Sequence, residues 1–216
     1  MKEPKVILGD IGQSLIEGQK DKVKELTQLA LAEGIGVTEI LNKGLIGGMN
    51  TVGERFKQAE MFIPEVLMAA KAMAAGMDIL TPLLLDTGSH TLGKVVMGTV
   101  KGDIHDIGKN LVGVMLRGAG LEVIDIGVDV PPQKFIEVAV GKKARLIGMS
   151  AMLTVTMPSM KDTIEELKKA GLETQIKTMI GGATVTQRYA NEIGADGYAR
   201  DASSAVDKAK ELLRLN

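Results

Sequence analysis

Apolar residues in the first part of the chain recur three or four positions apart, the period of a helix with one buried face. Val23, Leu26 and Ala30 form one such stripe. A longer stripe consists of Val37, Leu41, Leu45, Met49, Val52 and Phe56. A further stripe follows Pro64, a residue typical of a first helical turn, and consists of Val66, Ala70, Met73, Met77 and Leu80. With an opening segment from Val6 to Ile16, the pattern predicts an N-terminal four-helix bundle.

The second part of the chain alternates short β-rich runs with helical segments. The predicted strands are Val95–Val100, Glu122–Ile126, Leu146–Ser150, Lys177–Ile180 and Gly197–Ala199. The predicted helices are Ile107–Arg117, Pro132–Val140, Pro158–Ala170, Thr186–Ile193 and Ala202–Leu213. This alternation predicts an α/β domain with a five-stranded, parallel, doubly wound sheet of the Rossmann-like, flavodoxin-like kind. Such sheets bind ligands beyond the carboxyl ends of their strands.

A polar stretch of small residues, Asp86–Thr91, separates the two patterns and is typical of a linker. We therefore expect an all-α domain over residues 1–90 and an α/β domain over residues 91–216.

Composition excludes several classes of function. Hydrophobic residues make up 45% of the chain, charged residues 25%, and the net charge is −1, so neither nucleic acid nor a membrane is an expected partner. The chain has no cysteine, which excludes disulfides, thiolate metal sites and cysteine nucleophiles. No signal-like apolar run follows the N-terminus, and a cytoplasmic location is expected.

Candidate chemistry lies in the segment Gly98–Gly108, which runs from the first predicted strand to the next helix. His105 is suited to bind a transition metal, and Asp103 to orient its imidazole ring. Alternatively, Asp103 caps the helix and His105 is a solvated loop residue. One histidine cannot close a metal site, so a metal here would arrive in a macrocycle, either haem or a corrinoid. With three Phe, two Tyr and no Trp, the composition favours the corrinoid weakly.

A resemblance to a known family carries the interpretation further. Asp103-x-His105-x-x-Gly108 resembles the Asp-x-His-x-x-Gly signature of the B12-binding domains of methionine synthase, corrinoid methyltransferase proteins and B12-dependent mutases. Ser150-Ala151-Met152 is similar to the family's Ser-x-Leu block, with Met in place of Leu, and Gly181-Gly182 matches its third block. Three blocks after three predicted strands form a specific signal.

The N-terminal part also resembles this family, through its helical cap module. The similar segments are Gly44–Met49, Val52–Phe56 and Glu60–Leu67. The whole chain looks most like the small corrinoid proteins that serve methanol, methylamine, betaine or methoxyarene methyltransferases.

The resemblance implies a cobalt-containing corrinoid, cobalamin or a relative in its methylcobalamin form. It implies that His105 is the lower axial ligand of cobalt, with Asp103 and Thr156 as a hydrogen-bonded relay. Glycine at 108, 181 and 182 would permit close approach of the cofactor tail. Met61 and Phe62 would cover the upper face of the corrinoid. The implied cofactor contacts are Gly102, Ile104, Asp106, Ile107, Gly108, Ser150, Met152, Leu153, Thr154, Gly181 and Gly182.

The same resemblance implies a methyl carrier and not a complete catalyst. A substrate-specific methyltransferase would place a methyl group on Co(I). A second methyltransferase would pass it from methyl-Co(III) to tetrahydrofolate or coenzyme M, and a reductive activating protein would restore Co(I). The alternative is a B12-dependent sensor, although the chain carries no basic or helix-turn-helix segment. A mutase subunit and a flavin-binding flavodoxin-like protein are more remote.

Overall fold

The computed structural model describes residues 3–86 and 92–215, and the chain forms two compact units. Of the described residues, the first unit contains 3–86 with Gly118–Gly120, and the second contains 92–117 with 121–215. Asp86, predicted to begin the linker, is the last residue of a helix, because the apolar helical pattern continues to that point. The rest of the predicted linker, residues 87–91, lies outside the described residues. The division at residue 90 therefore remains a prediction.

The described residues 3–86 of the first unit form four helical segments, as the apolar stripes predict. Helix α1 spans Pro4–Ile16 and α2 spans Lys20–Ala32. The third segment is continuous and comprises α3 (Val37–Glu39), a π-helical stretch (Ile40–Ile46) and α4 (Gly47–Lys57). Helix α5 (Ile63–Asp86) has Pro64 in its first turn, and the Glu65 carboxylate accepts a hydrogen bond from the Phe62 N–H at 2.8 Å. That carboxylate satisfies one of the amide donors that a helix start leaves free.

The π-helical stretch changes which residues of the third segment are buried. A regular helix would bury Leu41 with Leu45, but Leu41 is only half-buried, while Ile40 and Ile46 join Leu45 in the core. The wider turn of a π-helix shifts the register of the apolar stripe. The spacing predicted from the sequence is therefore wrong at Leu41 and correct at Leu45, Met49 and Val52, which are buried.

Among the described residues, α5 is the only helix long and apolar enough to cross a membrane, with a mean hydropathy of 1.4 over Ile63–Leu84. Its packing provides another explanation for this composition. Ala69, Met73 and Leu80 are buried, and a Cβ added at Gly76 would lie 2.7 Å from the Leu45 side chain. Helix α5 is thus a core helix of the bundle, and its small residues permit close helix packing.

The second unit is the predicted doubly wound domain. Its strands are β1 (Lys94–Thr99), β2 (Glu122–Asp125), β3 (Leu146–Ser150), β4 (Lys177–Gly181) and β5 (Gly197–Ala199). They form one parallel sheet in the order β2-β1-β3-β4-β5, the flavodoxin-like order. The helices between and after them are α6 (Ile107–Gly118), α7 (Pro132–Lys142), α8 (Pro158–Lys169), α9 (Gln187–Ile193) and α10 (Ala202–Leu213). Phe135 of α7 and Ile164 of α8 belong to one buried hydrophobic cluster that also contains Val96 of β1 and Ile147 of β3.

The strand order reverses between β1 and β3. These two strands are neighbours, paired from Val95 with Leu146 to Thr99 with Ser150, so their carboxyl ends lie side by side. From β1 the chain continues outward to β2, whereas from β3 it continues to β4 on the other side. The loops after β1 and β3 consequently diverge and leave a crevice at this edge, the usual ligand position in such sheets.

Candidate functional site

The loop between β1 and α6 carries Asp103 and His105 beyond the carboxyl end of the sheet. Gly102 takes a positive φ of 83°, which turns the chain directly after β1 at little steric cost. The Asp103 N–H then donates to the Val100 carbonyl oxygen at 3.1 Å, closing the turn. Buried Thr99, the last residue of β1, donates through its hydroxyl to the His105 carbonyl oxygen at 2.9 Å. The loop is therefore held at both of the residues that the sequence identified.

Asp103 bridges the loops that follow β1 and β3. Its Oδ1 lies 2.7 Å from His105 Nδ1 and also accepts the His105 backbone N–H at 3.0 Å. Its Oδ2 accepts the backbone N–H groups of Met152 and Leu153, at 2.8 and 3.3 Å. The Thr156 hydroxyl lies 2.8 Å from Asp103 Oδ2 and 2.8 Å from the Leu153 carbonyl oxygen, and donates its one proton to either. The three predicted relay residues thus form one hydrogen-bonded array.

The array fixes the charge of Asp103 and the tautomer of His105. Burial, which is complete at 0% exposure, by itself raises the pKa of Asp103, but hydrogen bonds from the backbone of His105 and Met152 and from the side chains of His105 and Thr156 lower that pKa well below its ordinary range. An ionised carboxylate only accepts, so His105 Nδ1 must carry the proton. In the neutral imidazole this leaves the Nε2 lone pair free to bind a metal, and Nε2 has no hydrogen-bond partner among the described residues.

Exposed apolar side chains lie on the loops at this edge of the sheet, together with His105, whose own side chain is 44% exposed. Ile107 and Val155 are each 80% exposed, and Ile104 nearly as much. Further exposed apolar residues of the same loop edge are Val128, Met152 and Leu153. Clustered apolar exposure of this kind marks a binding surface. In the part of the chain that the structure describes, no group of three or more His, Cys, Asp or Glu residues is placed to hold a bare metal ion.

Two independent matches to protein-family models identify the family. A B12-binding domain model matches residues 93–207, more than half of the chain, and a second B12-binding domain model matches residues 7–81. The chain belongs to the B12-binding family of corrinoid proteins. Its cofactor is accordingly a cobalt-containing corrinoid.

Individual corrinoid proteins match along nearly the whole chain. Dimethylamine corrinoid protein 1 of Methanosarcina acetivorans is 48% identical over 208 residues, covering 96% of this chain and 97% of that protein. Trimethylamine corrinoid protein 1 of the same organism is 43% identical over 209 residues, with the same coverage. The methanol:cobalamin methyltransferase complex of Methanosarcina barkeri contains a chain with a TM-score of 0.85 and 29% identity, covering 97% of this chain and 80% of that chain.

The arrangement around His105 fits a corrinoid. A macrocycle that already holds its cobalt needs only one further donor from the protein, and His105 Nε2 would be available for that role. The exposed apolar residues on the same loops suit a large apolar partner. Gly108 faces open space, with nothing within 4 Å of a Cβ added there, so this side of the loop has room for the cofactor.

Gly181, the last residue of β4, and Gly182 have a structural role that the sequence did not indicate. A Cβ added at Gly182, which takes a φ of 132°, would lie 1.9 Å from the Ala151 carbonyl oxygen. A Cβ at Gly181 would lie 2.8 Å from the carbonyl oxygen of Ala199. These glycines are therefore required by neighbouring protein backbone, whether or not the cofactor tail also approaches them.

The remaining predicted residues lie in three places. Ser150 is half-buried at the end of β3, and Thr154 is exposed in the loop that follows. Exposed Asp106 accepts a hydrogen bond from the Asn110 side chain at 2.9 Å. Met61 and Phe62 belong to the first unit, where they precede α5; Met61 is buried and Phe62 is exposed.

Sequence reasoning missed several residues that hold the loop. The Asp129 carboxylate accepts the Gly102 N–H at 2.7 Å, and its own N–H donates to the Asp103 carbonyl oxygen at 2.9 Å. Lys109, in the first turn of α6, is buried and pairs with Asp125 at 2.5 Å. Thr99 also belongs to this group. The signals available were weak: a lysine in an apolar helical stripe, and an aspartate just before Val130-Pro131.

Proposed function

We propose that this chain is a methyl-carrying corrinoid protein of a methylamine-type methyltransferase system, with His105 as the lower axial ligand. The single observation that carries the proposal is the bare Nε2 of His105 beside the ionised Asp103, among exposed apolar residues at the switch point of the sheet. The bound corrinoid supplies the cobalt that accepts and releases the methyl group.

The residues of the chain act on that ligand without touching the metal. Asp103 accepts the Nδ1 proton and thereby orients the ring and increases the electron density at Nε2. The Thr156 hydroxyl and the Met152 N–H hold the other oxygen of the Asp103 carboxylate. The carboxylate therefore keeps its position while its hydrogen bond to the imidazole adjusts the basicity of Nε2. The predicted contacts at Ser150, Thr154, Gly181 and Gly182 would lie along the tail of the cofactor, and the Phe62 region would exclude water from its upper face.

The similarities favour particular partners. Relatives named for dimethylamine and trimethylamine are 48% and 43% identical to this chain, against 29% for the chain of the methanol complex. We infer that the first partner is a substrate-specific methyltransferase acting on a methylated amine, dimethylamine before the others. A second methyltransferase, acting on tetrahydrofolate or coenzyme M, and a reductive activating protein complete the proposed system in the cytoplasm.

The ligand assignment is tested by electron paramagnetic resonance of protein reconstituted with cobinamide, a corrinoid that lacks the nitrogenous base of cobalamin, and reduced to Co(II). The wild type should show superhyperfine splitting from one axial nitrogen, and His105→Ala should lose it. His90→Ala, at the only other histidine, is the matched control and should keep the splitting. Loss of the signal in His90→Ala, or its persistence in His105→Ala, would show that His105 is not the ligand.

The donor assignment is tested by methylation of the reduced, cobalamin-loaded protein. Purified methyltransferases specific for dimethylamine, trimethylamine, monomethylamine and methanol are each supplied with their donor, and the visible spectrum reports methylation. We expect dimethylamine to give the fastest rate. Fastest methylation by the methanol system would refute the inferred donor class, and no methylation by any of them, followed by no transfer to either acceptor, would favour the sensor alternative.

A further inference from the structure

The loop that presents His105 is attached at both ends to one short segment that begins with the last residue of β2. Residues Asp125–Asp129, here called the brace, run alongside the carboxyl end of β1. The brace is secured to that strand by the Thr99 N–H, which donates to the Gly127 carbonyl oxygen at 3.0 Å, and by the Ile126 N–H, which donates to the Met97 carbonyl oxygen at 2.8 Å. The brace thus extends the parallel sheet beyond β2 and provides a fixed base for the loop.

The first attachment is made by Asp129 at the start of the loop. Its Oδ1 accepts the Gly102 N–H at 2.7 Å, and its own N–H donates to the Asp103 carbonyl oxygen at 2.9 Å. Asp129 takes a φ of 52°, a left-handed conformation that is unfavourable for a residue with a side chain. In this conformation both the carboxylate and the backbone N–H of Asp129 contact the turn formed by Gly102 and Asp103. Such strain persists where the surroundings impose it.

The second attachment is made at the far end of the loop, in the first turn of α6. The ammonium of Lys109 lies 2.5 Å from Asp125 Oδ2, and the Lys109 side chain is only 3% exposed. Asp125 Oδ1 in turn accepts the Gly127 N–H at 2.9 Å, which fixes the brace itself. Residues 102–109, including His105, therefore lie between two attachments to the same segment.

We propose that Asp129 is a positioning residue for axial ligation: through the brace it restricts the loop so that His105 meets the cobalt with little further loss of conformational freedom. Ordering a free loop on binding opposes ligation, and a loop already ordered avoids that loss. The inference rests on the proposed role of His105 and adds a residue that touches neither the metal nor the imidazole.

The proposal predicts a defined change on replacing Asp129. Asp129→Ala removes the acceptor of the Gly102 N–H, and the intramolecular ligation constant of His105 should fall about three- to tenfold. Because Co(II) retains an axial ligand that Co(I) sheds, weaker ligation should raise the Co(II)/Co(I) midpoint potential, by up to about 59 mV for a tenfold loss. Asp129→Gly, which tolerates the positive φ but lacks the acceptor, should behave like Asp129→Ala.

Two further variants separate positioning from general stability. Asp129→Asn keeps an acceptor oxygen and tolerates positive φ, so its potential and ligation should stay within about twofold of the wild type. Asp196→Ala is the matched control at the opposite edge of the sheet, where the Asp196 carboxylate accepts the Thr178 N–H at 2.8 Å. It should lower the free energy of unfolding while leaving the axial nitrogen signal intact.

The experiment measures the axial nitrogen signal, the midpoint potential and urea unfolding for all these proteins after reconstitution with cobinamide, which has no nitrogenous base of its own. Weaker ligation in Asp129→Ala and Asp129→Gly, with unchanged ligation in Asp129→Asn and Asp196→Ala, would support the positioning role of Asp129. Wild-type ligation and potential in Asp129→Ala, equal loss in Asp129→Asn, or equal loss in Asp196→Ala would each overturn it. If the wild type itself lacks the axial nitrogen, the proposed function fails, and that result is distinct from failure of the brace alone.

Discussion

At the scale of single residues, the three glycines of the family blocks have different physical roles. Gly108 faces open space, whereas a Cβ at Gly182 would lie 1.9 Å from the Ala151 carbonyl oxygen. Resemblance alone assigned all three glycines to the approach of the cofactor tail. In the structure, Gly181 and Gly182 leave room for neighbouring backbone. The sequence cannot show this difference, because it does not show what surrounds each glycine.

This difference predicts opposite behaviour of two Gly→Ala variants. Gly108→Ala should leave the apo protein as stable as the wild type or up to about 1 kcal/mol more stable, because alanine restricts the unfolded chain. Its affinity for cobalamin should fall about tenfold or more, since the added methyl occupies space left for the ligand. Gly182→Ala should destabilise the apo protein by about 3 kcal/mol or more through clash and strain. Urea unfolding and cobalamin titration measure the two effects; a Gly108→Ala protein that binds normally contradicts the assignment.

Residue type also explains what the sequence revealed of the site. Asp103, His105 and Thr156 were found because side chains with distinctive chemistry recur in a known motif. Thr99 and Asp129 were missed because each bonds a backbone group of the loop, and backbone donors and acceptors are the same at every residue. Their partners become known only when the loop conformation is known.

At the scale of elements, the strands of the second unit were predicted within one residue at either end, because each is a short β-rich run ended by glycine or a polar residue. The third helical segment was predicted less well. A π-helical stretch from Ile40 to Ile46 has no residue signature distinct from that of an α-helix, so the predicted burial was wrong at Leu41.

Next to this stretch, helices α1 and α4 approach each other closely. A Cβ added at Gly48 would lie 2.9 Å from the Gly12 carbonyl oxygen.

The close approach of α1 and α4 predicts that Gly48→Ala destabilises the first unit by about 1 to 3 kcal/mol, because backbone on both sides must move apart. Gly9→Ala in α1 is the matched control. Gly9 is exposed, has nothing within 4 Å of an added Cβ, and should gain about 0.5 to 1 kcal/mol in helical stability. Thermal unfolding followed by circular dichroism compares the two. Equal behaviour of the variants would show that the approach of the helices is not what requires glycine at position 48.

At the scale of the whole molecule, the site links ligand geometry to the pH dependence of folding. Asp103 joins the loops after β1 and β3 through five hydrogen-bond contacts to its two oxygens, and its pKa lies below the ordinary value of 3.8. A carboxyl whose pKa is lower in the folded than in the unfolded state contributes stability above its unfolded pKa and loses it as the pH falls towards the folded pKa. The hydrogen bonds by which Asp103 joins these two loops are therefore weakened when Asp103 is protonated.

This linkage predicts the acid response of the apo protein. The free energy of unfolding of the wild type should fall as the pH is lowered from about 5, and part of that fall should be due to Asp103. Asp103→Asn should be less stable at pH 7, by about 1 to 3 kcal/mol, because an amide group replaces one acceptor oxygen with a donor that faces backbone N–H groups. Its stability should also change less with pH, since the titrating group is gone. Urea unfolding between about pH 7 and pH 3 measures both. If the free energy of unfolding of Asp103→Asn changed with pH as steeply as that of the wild type, other carboxyls would account for the acid response. Asp103 would then orient His105 without contributing to the link between the two loops.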